Sequence, residues 1–161
     1  MGAHHLGLVR FRSGDRLNLG GHTIVSDAKP LADSVRAVIP MLVCRDGASE
    51  IDFCRAAFGA VELTRRLAPD GAVVHATLKV GGFMIMVHGE FPNLASRAPQ
   101  SDGSSPVVVY IYVEDVDAVI ERAVAAGAKV LMPATNAFWG DRVGRIIDPS
   151  GHVWNVAAHN G

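Results

Sequence analysis

The side chains of this 161-residue chain best suited to chemistry are seven histidines, two cysteines, two tyrosines and two tryptophans. An unperturbed imidazole titrates at about pH 6.5, so a histidine is the readiest general base near neutrality. His75 stands in the alternating stretch Val73–Val80 and is the best candidate for a catalytic residue. No carboxylate is spaced to orient it, and its plainer role is to line a pocket or the surface. His88 ends the apolar stretch Phe83–His88 and reads as exposed. His152 follows the tight turn Asp148-Pro149-Ser150-Gly151, where a structural hydrogen bond is its expected role. Cys44 and Cys54 have no neighbouring base to generate a thiolate, so neither reads as a nucleophile. Asp141-Arg142 reads as a structural ion pair. Met86, Tyr110, Tyr112, Trp139, Arg145 and Asn155, with His75, combine aromatic and apolar bulk with a few polar handles. Such a set suits a planar or aromatic small molecule. Gly81-Gly82 joins two strands and opens no helix, so it is not a phosphate loop.

Composition bounds what can hold these residues in place. Apolar residues make up 49% of the chain and charged residues 19%, a balance that predicts a folded globular domain. Fifteen basic against sixteen acidic residues give a net charge of -1, without the basic excess of a nucleic-acid-binding protein. No apolar run approaches the roughly 18 residues of a membrane span. The start Met1-Gly2-Ala3-His4-His5 lacks the charged and apolar segments of a secretory leader, and two cysteines cannot staple a fold of this size. A reduced, cytoplasmic protein is the expectation.

Residues 1–36 carry no sustained periodicity and read as an N-terminal arm, with Leu17–Leu19 and His22–Val25 as a small hairpin. From Val38 the pattern sharpens. Val38–Cys44 is a short apolar run, read as a strand with Pro40 near its start. Asp46–Phe58 has Ile51, Cys54 and Phe58 at helical spacing, a cap at Asp46 or Ser49, and Gly59 where a left-handed residue belongs. Strands follow at Val61–Thr64, Val73–Val80 and Phe83–His88. The same order then recurs: a strand at Val107–Val113, a helix capped by Asp115, and strands at Lys129–Met132, Asp141–Ile147 and His152–Ala157. Pro133 is expected to end the first of these last three.

The two halves superpose with a period of about 68 residues, Val43 falling on Ile111 and Gly82 on Gly151. The domain at 37–161 thus divides into module one (38–90), a linker (91–106) and module two (107–159). Four strands and one helix leave one sheet face uncovered, and that face is where a ligand would sit.

A tandem βαβββ repeat resembles the vicinal oxygen chelate superfamily, which includes glyoxalase I, bleomycin-resistance proteins, fosfomycin-resistance enzymes and extradiol dioxygenases. The stretch from Phe138-Trp139-Gly140-Asp141-Arg142 to Asp148-Pro149-Ser150-Gly151-His152-Val153-Trp154 is similar to the signature of its PhnB-like subgroup. The resemblance implies an α+β fold in which tandem βαβββ modules form a curved, mostly antiparallel sheet with helices on the convex side. It also implies a homodimer.

In the metal-using members, a His or Gln on the first strand and a Glu on the last strand of each module hold a divalent cation. The resemblance carries these places onto Pro40, Met86, Val108 and Asn155. Pro and Val offer no donor, a thioether suits soft Cu(I), and one amide oxygen does not hold a hard cation. No metal and no cofactor are therefore expected. Side-chain alternation then turns Met84, Met86, His88, Tyr110, Tyr112, Asn155, His75 and Thr77 inward, gives Leu42 and Cys44 the same inward parity as Pro40, and puts Trp154 in the core. The resemblance implies metal-independent binding of a small hydrophobic or aromatic molecule, as in drug sequestration, with His75, Met86, Tyr110, Tyr112, Trp139, Arg145 and Asn155 in contact with it. The alternative is a metal-dependent lyase, isomerase or dioxygenase that uses the spare donors His75, His88, Glu62 and Glu90. No nucleic acid or membrane partner is expected.

Overall fold

The computed structural model describes residues 38–100 and 105–159, together with the strands at 16–19 and 22–25. The chain forms two compact units, Met1–Ala37 and Val38–Gly161. In the first, β1 (Arg16–Leu19) and β2 (His22–Val25) pair antiparallel, with Leu19 opposite His22. The remainder of the N-terminal arm reading, and part of the linker at 101–104, lie outside the described residues.

In the second unit each module builds its own four-stranded mixed sheet. Module one comprises β3 (Met41–Cys44), α1 (Gly47–Phe58), β4 (Val61–Leu67), β5 (Val73–Val80) and β6 (Phe83–Gly89). Module two comprises β7 (Val108–Tyr112), α2 (Val116–Ala125), β8 (Lys129–Asn136), β9 (Asp141–Ile147) and β10 (Val153–His159). The strand orders are β3-β6-β5-β4 and β7-β10-β9-β8, parallel at β3/β6 and β7/β10 and antiparallel elsewhere. The duplication is thus visible in topology as well as sequence. No helix among the described residues is long and apolar enough to cross a membrane.

Local chemistry explains the helix limits. Asp46 Oδ1 accepts from the amides of Ala48 (3.0 Å) and Ser49 (3.2 Å), and Asp115 Oδ1 accepts from Ala118 (3.0 Å), satisfying donors that have no partner inside a helix. Gly59 ends α1 at φ 64°, the left-handed conformation that a Cβ disfavours.

One core joins the modules. Leu42, Cys44, Ile51, Ala76, Leu78 and Val87 of module one pack with Val119, Ala123, Ile146, Trp154 and Val156 of module two. Trp154 is fully enclosed. Its indole lies 4.7 Å from the Phe58 ring and donates to Asp148 Oδ2 at 2.7 Å. Because the core takes Ile85 and Val87 but not Met84, Met86 or His88, and Trp154 and Val156 but not Asn155, each sheet turns one face to the core and leaves one open.

Three expectations about strands need correction. Leu42 and Cys44 lie in the core, so the open face of β3 carries Met41 and Val43, and Pro40 precedes the strand, its carbonyl accepting from Met86. The continuously apolar run around β3 has no alternation to reveal its parity. β8 continues through Pro133 to Asn136, because β8 is an edge strand whose register is broken on both sides of Met132. β4 likewise runs past Thr64 to Leu67, with two register shifts.

Candidate functional site

On the open face of the module-two sheet, Tyr110 and Tyr112 stand two residues apart on β7, so both side chains emerge on the same side. Asp141 and Arg145 emerge there from β9, Asn155 and His159 from β10, and Trp139 stands in the turn before β9. Tyr110, Tyr112, Trp139 and His159 converge on the Asp141 carboxylate. Asp141 Oδ2 accepts from the Tyr112 hydroxyl (2.8 Å), the Tyr110 hydroxyl (3.3 Å) and the Trp139 indole (3.3 Å). Its Oδ1 lies 3.0 Å from His159 Nδ1. Only 4% of Asp141 is exposed, so these partners replace its hydration.

The electrostatics follow from that arrangement. The hydrogen bonds from His159 and then Tyr112 hold the Asp141 carboxyl below the usual carboxylate range. The reciprocal bond to Asp141 pushes the Tyr112 phenol up to about 12, so Tyr112 remains a donor at neutral pH. The tyrosine rings lie 5.3 Å apart, and both keep much of their surface exposed. One row along, Arg145 Nε donates to Asn155 Oδ1 at 2.7 Å, across the register Tyr110–Asn155–Arg145.

The module-one sheet presents a different open face. Met41, Met86 and Thr77 form one row across β3, β6 and β5. Val43, His88, His75 and Arg66 form the next, across β3, β6, β5 and β4. The His75 and His88 rings are 6.1 Å apart, and Phe91 lies 4.8 Å from His88. The His88 Nδ1–H donates to the Gly89 carbonyl at 2.8 Å. Burial, then the neighbouring His88 and Arg66, lowers the pKa of His75, so at neutral pH the ring is uncharged.

The expected contact residues thus fall into two groups. Tyr110, Tyr112 and Trp139 meet at Asp141, and Arg145 meets Asn155. His75 and Met86 belong to the other sheet, and no hydrogen bond or ring contact links the groups among the described residues. The Asp141-Arg142 ion pair does not form: Arg142 emerges on the helix side and bonds Asp117 of α2 at 2.6 Å. Of the spare donors, Glu62 is engaged by Arg65 at 2.7 Å, and Glu90 accepts from the Ala98 amide at 2.9 Å. Asp141 and His159 were missed as site residues, although stepping back by twos from Arg145 reaches Asp141. Arg66 and Phe91 were missed because their place depends on strand pairing across long sequence gaps.

The profile of the Glyoxalase/Bleomycin resistance protein/Dioxygenase superfamily matches residues 36–156. The chain belongs to this superfamily. It is 44% identical over 123 residues to the uncharacterized protein Mb0911c of Mycobacterium bovis, covering 74% of this chain and 81% of that one. TioX from Micromonospora sp. ML1 superposes with a TM-score of 0.59 at 28% identity, covering 76% of this chain and 95% of TioX. The fosfomycin resistance protein FosX from Listeria monocytogenes, solved with Mn(II) and sulfate, shares the fold at TM-score 0.60 and 17% identity, covering 77% of this chain and 90% of FosX.

Within the superfamily fold, the cation places on the first and last strands are tested by register. Met86 pairs with Met41, and its repeat counterpart Asn155 pairs with Tyr110. The first-strand places therefore fall on Met41 and Tyr110 rather than Pro40 and Val108. Two thioethers, a phenol and an amide do not make the donor set of a hard divalent cation. Among the described residues no three His, Cys, Asp or Glu side chains are grouped to hold an ion.

Proposed function

We propose that this superfamily member binds a small hydrophobic or aromatic molecule on its open sheet faces without a metal ion, sequestering it as bleomycin-resistance proteins do. The observation that carries the reading is the convergence of Tyr110, Tyr112 and Trp139 on the buried Asp141 carboxylate. Aromatic side chains offer large, stiff contact area at little entropic cost, and here their polar tips are already tied down, leaving the ring faces for a ligand. Met41, 48% exposed, and the half-exposed Tyr110 and Tyr112 leave large side chains uncovered on both open faces. That surface supports a second copy of the chain as the other wall of the site. The segment from Phe138 to Trp154 supports a place in the PhnB-like subgroup, and the low cysteine content supports a cytoplasmic setting.

Calorimetric titration with 2-naphthol, a neutral aromatic probe, in buffer containing a chelator tests the reading. Saturable binding that is unchanged when Mn(II) or Zn(II) replaces the chelator is the expected result. Binding only with added cation would overturn metal-independence and favour the metal-dependent lyase, isomerase or dioxygenase. No binding under either condition would overturn the aromatic-ligand reading itself.

A further inference from the structure

We infer that Arg66, His75 and His88 form a receptor for the anionic group of the ligand, a carboxylate or a phosphate, so that the molecule bound on the module-one face is an aromatic acid. This rests on the reading that the open faces bind a small aromatic molecule, and adds the charge that the molecule carries.

The three basic side chains occupy one register row on three adjacent strands, Arg66 opposite His75 and His75 opposite His88. Directly opposed residues on one face of an antiparallel pair have their Cβ atoms about 5 Å apart, and like charges so placed repel. Uncharged His75 can take up a proton beside Arg66 favourably only with an anion among them. Among the described residues the protein supplies none. The ionisable neighbours that act on His75 among the described residues are His88 and Arg66, both basic. Arg66 makes no ion pair among the described residues. Glu90, the nearest carboxylate in sequence, is held by the Ala98 amide.

The row is also built rather than incidental. His88 Nδ1 donates to Gly89 O, and the ring rests against Phe91, so its remaining nitrogen is held as an acceptor until protonated. His75 is half-buried, with the core residue Ala76 beside it. The next row carries Met86 and Met41, and an aromatic body lying on these thioethers would place its acidic group over the basic row. An arriving anion favours the imidazolium forms, so binding takes up a proton. Affinity should rise as pH falls towards the histidine range.

Three probes separate the possibilities: 2-naphthol, 2-naphthoate and 2-naphthyl phosphate, titrated calorimetrically at matched ionic strength with and without chelator. Either acid should bind at least tenfold more tightly than the neutral probe at about pH 6, losing up to tenfold per pH unit above that. The better of the two identifies carboxylate or phosphate. In Arg66→Gln the acid-to-neutral affinity ratio should fall towards one, and Arg66→Lys should recover part of it. Inorganic phosphate alone should raise the NMR-observed pKa of His75, and chloride should not. Equal affinity for acid and neutral probe, an acid preference retained in Arg66→Gln, or no phosphate effect on His75 would each overturn the inference while leaving aromatic binding intact. Displacement of the acid by Zn(II) at the two histidines would overturn it in favour of a metal site. If no naphthyl probe binds, the aromatic reading fails, and the phosphate titration alone still decides the anion site.

Discussion

Asp141 and Arg142 are adjacent in sequence and point to opposite faces of β9, one to the tyrosine hydroxyls and the other to Asp117 on α2. The strand's alternation forces this separation, and it decides what each charge can do. Arg142 and Asp117 form an exposed pair, screened by solvent and of little weight for stability. Asp141 is enclosed and organises three aromatic side chains.

Replacing Asp141 with Asn should release Tyr112. The phenol, pushed up to about 12 chiefly by its bond to the carboxylate, should titrate at about 10 in Asp141→Asn. Ultraviolet difference titration of tyrosinate reads this directly. A midpoint still at the wild-type value would show that Asp141 is not the cause.

Glu50 predicts a pH-dependent stability. It is fully buried on α1; Cys54 Sγ donates to its Oε1 at 3.4 Å, and its Oε2 has no hydrogen-bond partner among the described residues. Burial, and then the charge of Asp148, push its carboxyl up to about 7, above the unfolded value of about 4.3. The folded state therefore holds a proton that the unfolded state has lost, and stability falls as pH rises from about 4.3 to about 7, then levels off. The loss is of the order of 3 kcal/mol. Denaturant unfolding at about pH 5 and about pH 8 should show it, and Glu50→Gln should remove it. A variant with the wild-type pH slope would place the effect elsewhere.

Much of this architecture is legible in the sequence where a local rule speaks alone. Asp46, Gly59 and Asp115 mark helix limits because capping is local, and Tyr110, Tyr112, Arg145 and Asn155 share a face because alternation is local. The parity of β3 is not legible, because Met41, Leu42, Val43 and Cys44 are all apolar and neither phase stands out. The row of Arg66, His75 and His88 depends on pairing among strands separated by hairpins, one of them with a register shift that spacing does not announce.

Gly59 isolates a backbone effect. An added Cβ would meet nothing within 4 Å, so Gly59→Ala changes only the cost of the left-handed conformation at φ 64°. It should destabilise the fold by about 1 kcal/mol. Gly144 is the contrast, because there a Cβ would collide with Ile120 Cδ1 and press on the backbone of Ala134. Gly144→Ala should therefore cost more than Gly59→Ala by thermal or chemical denaturation, with α2 displaced from β9. Equal losses at the two positions would show that Ile120 moves aside freely.

The two tryptophans give the proposed ligand face a built-in control. Trp139 is 55% exposed and bonded to Asp141, whereas Trp154 is 1% exposed and bonded to Asp148 in the core. With 5-fluorotryptophan incorporated, the chain should show two fluorine resonances, assigned by Trp139→Phe. A paramagnetic relaxation agent in solution should broaden the Trp139 signal and spare that of Trp154, because only exposed groups are approached closely. Saturating 2-naphthol should shift the Trp139 signal and protect it from the agent, since a ligand lying across Tyr110 and Tyr112 covers the indole that shares their carboxylate. Trp154 should stay where it is, because its neighbours Phe58 and Asp148 lie on the far side of the sheet. A shift confined to Trp154 would place the bound molecule in the core between the modules. Two unmoved signals under saturating ligand would remove the module-two face from the binding site and leave the Met41 and Met86 row as the surface that holds it.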